Sequence, residues 1–255
     1  MAKRNYENMT PLEVYALVVR GSIKKFPNGY LDKDKVKILV RHVILTVYNY
    51  TKEDVLEKIN HKFFQDNFLG GVRKLFDFGD NEVLIYSFPE WELKQWNFRK
   101  VPPNFWKNKT NQKDFVLWIC NIEGLNPNKK EDMRKITAEV VEKYGGSKPM
   151  VGAGGLYELI STVTGSRYKK WELMRPAVWS KQEAIVATRW LIEEKLKLTP
   201  KEVCKLSVSD FAKYNLDGML QKLCDHSILK ALEMAYPGTY YRSNVRGILY
   251  KLSTG

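Results

Sequence analysis

The segment Thr51-Lys52-Glu53-Asp54-Val55-Leu56-Glu57-Lys58-Ile59 spells the start of a helix. A threonine oxygen accepts from the amide three residues on, the acid there returns the bond, and Val55 and Ile59 fall on one helical face. The same pattern recurs as Asn128-Lys129-Lys130-Glu131 and Thr199-Pro200-Lys201-Glu202, at spacings of 77 and 71 residues. Proline at the first helical position reinforces the third case. Behind these caps, Met133, Ile136 and Val140, then Val203 and Leu206, repeat the helical interval.

An apolar stretch precedes each cap: Val36 to Val47, Phe115 to Ile122 and Ala184 to Leu196. Before each stretch stands a Pro-x-x-aromatic signature, at Pro27 to Tyr30, Pro103 to Trp106 and Pro176 to Trp179. After each cap comes a glycine turn ahead of a further helical pattern, in Leu69-Gly70-Gly71-Val72, Ala153-Gly154-Gly155-Leu156 and Leu216-Asp217-Gly218-Met219. Four features in fixed order, three times over, mark an array of repeats. The expectation is an all-α protein of three tandem helical modules of about 75 residues packed continuously, each with a helix-turn-helix-like pair. Residues 1–26 form an N-terminal capping half-module, and 27–106, 107–179 and 180–255 form modules 1, 2 and 3. Glu82 to Phe88 alternates like a strand, but its register matches Leu229 to Tyr236 and it is read as helix.

Of the 255 residues, 44% are apolar and 13% aromatic, enough to build a core without staples. The three cysteines, Cys120, Cys204 and Cys224, form no C-x-x-C pair and no even set, so neither a disulfide framework nor a zinc knuckle is expected. They suit a reducing cytoplasm, and no apolar run reaches the length of a membrane span or a secretory signal. Forty-two Lys and Arg stand against 29 Asp and Glu, a net charge of +13 that favours polyanionic partners.

The segment Ile23-Lys24-Lys25-Phe26-Pro27-Asn28-Gly29-Tyr30, with Leu69-Gly70-Gly71, Ala235-Tyr236-Pro237-Gly238 and the Trp and Pro-x-x-Trp module ends, resembles a repeated helical module of Bacillus-group bacteria and their phages. The middle copy departs from it, with Val163-Thr164-Gly165 where the others have Phe88-Pro89 and Tyr236-Pro237. That resemblance implies a bacterial or phage origin and no particular activity.

No enzyme chemistry stands out, and neither a cofactor nor a catalytic residue is expected. Met150-Val151-Gly152-Ala153-Gly154-Gly155 could cradle a phosphate, but Gly70-Gly71 and Gly218 hold the same place without a glycine-rich loop, so a turn explains it better. Glu90, Glu92 and Lys94, with Asp77 or Asp80, are similar to the acid and lysine set of metal-dependent nucleases, at loose spacing. His42, His61 and His226 lie far apart, and no metal site is expected. Trp106 and Trp179 keep repeat register and read as packing between modules, whereas cations flank Trp96, Phe98 and Trp171.

Cations recur at the module ends. Lys24 and Lys25, then Lys94 with Trp96, Arg99 and Lys100, then Arg167, Lys169, Lys170 and Arg175, then Arg242 and Arg246 form a basic, aromatic-laced face if the modules stack regularly. Such a face can track a nucleic-acid backbone. On the second helix of the pair, Arg73 and Lys74, and Gln221 and Lys222, would be the base readers. The expected function is binding of nucleic acid, DNA foremost and RNA by the same cations, as a phage or bacterial regulator. The alternatives are a scaffold or phage-encoded inhibitor that binds an acidic host protein, and the metal-dependent nuclease.

Overall fold

The computed structural model describes residues 6, 8–77, 79–242 and 248–250. Its helices are α1 (Pro11–Val19), α2 (Lys33–Arg41), α3 (Lys52–Lys58), α4 (His61–Asp66), α5 (Asp80–Ser87), α6 (Lys109–Ile122), α7 (Lys130–Met133), α8 (Ala138–Gly145), α9 (Lys148–Ala153), α10 (Leu156–Thr164), α11 (Lys170–Leu173), α12 (Lys181–Arg189), α13 (Pro200–Val203), α14 (Val208–Ala212), α15 (Asp217–Cys224) and α16 (Ile228–Ala235). A short antiparallel pair, β1 (Tyr240–Arg242) and β2 (Ile248–Tyr250), follows, with Tyr241 opposite Leu249. The protein is all-α apart from this pair, and Glu82 to Ser87 is helical as its register requires.

Capping boxes fix helix starts at Thr10 with Glu13, Thr51 with Asp54, Ser180 with Glu183, and Thr199 with Glu202. The expected cap at Asn128 does not form. Helix α7 begins after Lys129, which makes no side-chain cap bond, and Asn128 is engaged elsewhere: its side chain accepts from Arg167 at 3.2 Å and its carbonyl from the Tyr168 hydroxyl. Asp132, one residue beyond the expected acid, reaches back to the amide of Asn126.

The chain divides into two compact units, Met1–Asn111 with Val141–Pro149, and Gln112–Val140 with Met150–Gly255. Residues 107–179 contribute to both. Unit 1 is built around Val36, Leu39, Val43, Phe64, Leu84 and Phe88, and unit 2 around Ala187, Trp190, Leu191, Phe211, Leu220 and Leu232, all buried.

Modules 1 and 3 share one design, offset by 148 residues at their first helices. Asp32 caps α2 and Ser180 caps α12. Both helices then widen into six-residue π turns, His42–Val47 and Trp190–Lys195. Both turns close through left-handed residues, Asn49 and Lys197, after which Tyr50 bonds back to Ile44 and Leu198 to Ile192, each at 2.9 Å. Arg41 donates to the Ser87 carbonyl at 3.0 Å with its guanidinium over Phe88; Arg189 donates twice to the Ala235 carbonyl, at 2.9 and 2.7 Å, over Tyr236. Each arginine thus ties the first helix of its copy to the last, satisfying a carbonyl that the helix end leaves open.

The middle copy lacks these devices. Helix α6 ends with the regular bond from Glu123 to Ile119, without a π turn. Its Gly154-Gly155 step joins α9 to α10, and both glycine amides bond to the Met150 carbonyl, so they serve a turn.

Candidate functional site

The π turn, the caps and the arginine tie bring the segment between α1 and α2 against the glycine turn after α4. In unit 1 this meeting leaves an open cleft of about 720 Å³. Its floor is apolar, from Val18, Leu31 and Val72, and Lys24, Lys25 and Lys74 stand on its rim. All three lysines are exposed, and among the described residues none meets a carboxylate within ion-pair distance. Phe26 lines the cleft and lies parallel to Tyr15 and Tyr30, with ring centres 6.4 and 6.5 Å away.

Phe68 also lines the cleft. It ends α4 in a Schellman turn, in which Leu69 bonds to Phe64 at 2.7 Å and Phe68 to Gln65 at 3.0 Å. That turn places Phe68 at φ 60°, where glycine or asparagine is usual, and leaves its ring 50% exposed. A bulky residue held in the left-handed region with its ring in water is an outlier of the kind that marks functional surfaces.

Module 3 builds the same corner and fills it. Trp179 stands one residue before the Ser180 cap, as Leu31 stands before the Asp32 cap. The Trp179 indole is 6% exposed, stacks on Trp171 at 5.8 Å, and brings its Nε1 over Gly218. A side-chain carbon added at Gly218 would lie 3.7 Å from that nitrogen, whereas one added at Gly71 would meet nothing within 4 Å. Asn215 takes the left-handed position of Phe68 and donates to the Trp171 carbonyl at 2.9 Å. Asp217 pairs with Arg175 at 3.9 Å, and Lys222 donates to the Ala177 carbonyl. Gly70 occupies the place of Asp217 in module 1, so that copy has no acid there. Aligned on the caps, Trp179 matches Leu31 and Val178 matches Tyr30, one residue from the register of the Pro-x-x-aromatic signature.

The remaining predicted residues fall partly in unit 1 and partly in unit 2. Lys94 is exposed, while Trp96 is half-buried against Phe105 and Trp106, at 6.5 and 6.3 Å. Arg99 and Lys100 line a second cleft of unit 1, about 490 Å³, with Asn60, His61, Lys62 and Asp80. Arg73 sits on the 3-10 turn Val72–Leu75 and reaches His61 Nδ1 at 3.3 Å; the same nitrogen is 3.5 Å from Asp80. Gln221 is exposed on α15. In unit 2, Arg167 and Lys169 line a polar hollow of about 420 Å³ with Lys130 and Lys195, around the largely buried Glu172. Lys170 pairs with Glu183 at 3.6 Å. Arg242 is exposed on β1, and Arg246 lies outside the described residues. Trp171, flanked by cations in the sequence, is buried in the core.

The acid set is not brought together. Arg41 holds Glu90 at 2.5 Å and keeps its carboxyl below the usual range, Asp80 faces His61, and Glu92 is exposed in a left-handed turn. Among the described residues no three His, Cys, Asp or Glu side chains cluster as a metal site would need. Nor is any described helix long and apolar enough to cross a membrane.

Fold and site together define an all-α repeat protein with one filled and one open copy of the same corner. The chain belongs to the DUF4046 family of proteins of unknown function, whose model matches residues 12–93 and 174–241. These two segments contain the π turn and the arginine tie of modules 1 and 3. No curated protein and no solved structure matches the chain.

Proposed function

We propose that the protein binds nucleic acid through the lysine-rimmed cleft of unit 1. The observation that carries this reading is the set of three cations, Lys24, Lys25 and Lys74, that meet no carboxylate among the described residues and line the same cleft as the half-exposed ring of Phe68. Cations without intramolecular partners keep their charge for phosphates, and each phosphate bound releases a counterion, while an exposed ring offers a stacking face. The net charge of +13 adds long-range attraction. With the motif resemblance, this supports a bacterial or phage nucleic-acid-binding protein with a regulatory role. Reading of a major groove by a second helix has less support: Arg73 and Lys74 ride on a four-residue 3-10 turn, and Lys222 is engaged by the Ala177 carbonyl.

Fluorescence anisotropy of labelled single-stranded and duplex DNA across a salt series tests the proposal. Binding should weaken steeply with salt. Lys24→Glu with Lys25→Glu and Lys74→Glu should lower the single-strand salt slope by about 2, at ~0.7 for each phosphate that is no longer neutralised. Absence of binding at low salt would sink it. One observation favours an acidic protein partner instead: Leu12, Val19, Val47 and Phe68, all exposed, line a neighbouring groove of unit 1. Capture of an acidic protein by the folded chain that is lost on Val47→Asp would support that second reading.

A further inference from the structure

We infer that the unit 1 cleft is a seat for one unpaired nucleobase, with the adjoining phosphates on Lys24, Lys25 and Lys74. This rests on the nucleic-acid reading above and names its ligand more narrowly.

The chain itself shows what shape fits the seat. In module 3 the corner between the cap-preceding residue and the glycine turn is filled by a planar bicyclic ring, the indole of Trp179, lying over Gly218. In module 1 the cap-preceding residue is Leu31, whose side chain is smaller, and Gly71 faces open space. The same backbone therefore leaves a vacancy suited to a flat aromatic ring, and a purine approximates an indole in size and planarity. Phe26 and the half-exposed Phe68 line it with aromatic rings, the groups on which bases stack in single-strand-binding proteins.

Charge distinguishes a base from other planar groups. Module 3 gives the cations of its corner intramolecular partners: Asp217 forms an ion pair with Arg175, and Lys222 donates to the Ala177 carbonyl. Module 1 has Gly70 in place of the acid, and among the described residues Lys24, Lys25 and Lys74 meet no carboxylate, so an occupant that brings negative charge next to the ring is favoured. A nucleotide does so within one residue, because its phosphate is bonded to the sugar that carries the base. A duplex base is stacked and paired and must first be extruded, so the seat favours single strands.

The test uses the full chain with fluorescein-labelled single-stranded and duplex DNA of one sequence. Two variants plug the seat from opposite walls. Leu31→Trp reproduces the module 3 arrangement, and Gly71→Leu projects a side chain into the vacancy from a backbone at φ −81°, which any residue adopts. Circular dichroism and a thermal melt establish that each is folded. The wild type should bind the single strand roughly tenfold more tightly than the duplex, the margin of about one stacked base. Each plug should bring single-strand affinity down to that for duplex. Unchanged single-strand preference in both folded variants overturns the seat while leaving the phosphate contacts in place. Failure of the wild type to bind either polymer overturns the nucleic-acid reading itself. Displacement of the strand by a glutamate-flanked tryptophan peptide at equal concentration also overturns it, and assigns the cleft to a protein partner.

Discussion

Modules 1 and 3 are two solutions of one backbone. Both cap a first helix, widen it into a π turn, tie it to the last helix with an arginine and end the third helix, α4 or α14, in a Schellman turn, which in module 3 joins Leu216 to Phe211 and Asn215 to Ala212. They differ where that turn meets the segment before the first cap. Module 3 commits the corner to stability, with a buried indole, an asparagine at the left-handed position and partnered cations. Module 1 puts leucine, phenylalanine and glycine at the corresponding places and leaves lysines unpaired. The contrast separates residues that a module needs to fold from residues that it can release for binding.

The sharpest break of this comparison is Trp179→Ala. Removing a buried indole should destabilise by about 3–5 kcal/mol, whereas Leu31→Ala, at a partly exposed position, should cost about 1–2 kcal/mol. Urea unfolding of both variants checks this, and equal losses would mean that the two corners are packed alike. Next come the arginine ties. Arg189→Met and Arg41→Met should each cost about 1–3 kcal/mol by orphaning a carbonyl at a helix end, and a cost in one copy alone would break the equivalence. Smaller, and opposite in sign, is Phe68→Gly, which relieves a left-handed bulky residue and should stabilise by about 1 kcal/mol while weakening nucleic-acid binding. Asn215→Gly should change stability by only a few tenths of a kcal/mol, because asparagine tolerates that conformation.

The smallest effect is the response of the caps to acid. Asp54 is lowered to about 2, first by its bond to Lys58 and then by Thr51, and Glu202 is lowered by its bonds to Thr199. A carboxyl depressed in the folded state stabilises above its unfolded value, 3.8 for Asp54, and that contribution disappears as pH falls through the folded value. Asp54→Asn should therefore flatten the decline in unfolding midpoint between about pH 4 and 2. Glu202→Gln should do so from a higher pH, since its unfolded value is 4.5.

Much of the fold was legible because caps are local. Thr51 with Asp54 and Thr199 with Glu202 form as written, since three residues suffice to define the geometry. Asn128 failed because two residues distant in sequence, Arg167 and Tyr168, claim its polar atoms. The π turns left no mark in apolar periodicity, which registers an added residue only weakly. For the cleft, Lys24, Lys25 and Lys74 stand out in the sequence and Gly71 reads as part of a turn, but Leu31 and Phe68 carry no such mark. Aligning copies on Asp32 and Ser180 in place of the prolines exposes Leu31 opposite Trp179, but placing Gly70 opposite Asp217 needs the one-residue shift that the left-handed residues Phe68 and Asn215 reveal only in the structure.

By itself, then, the sequence determined the helical class, the repetition and the surplus of positive charge, because capping, helical periodicity and net charge depend on neighbours within a few residues or on simple sums. Only the tertiary structure decided which aromatic rings are structural and which are free. Trp171 and Phe68 each follow two polar residues in the chain, yet one is buried and the other half in water, because burial depends on what the fold brings to the other side of the ring.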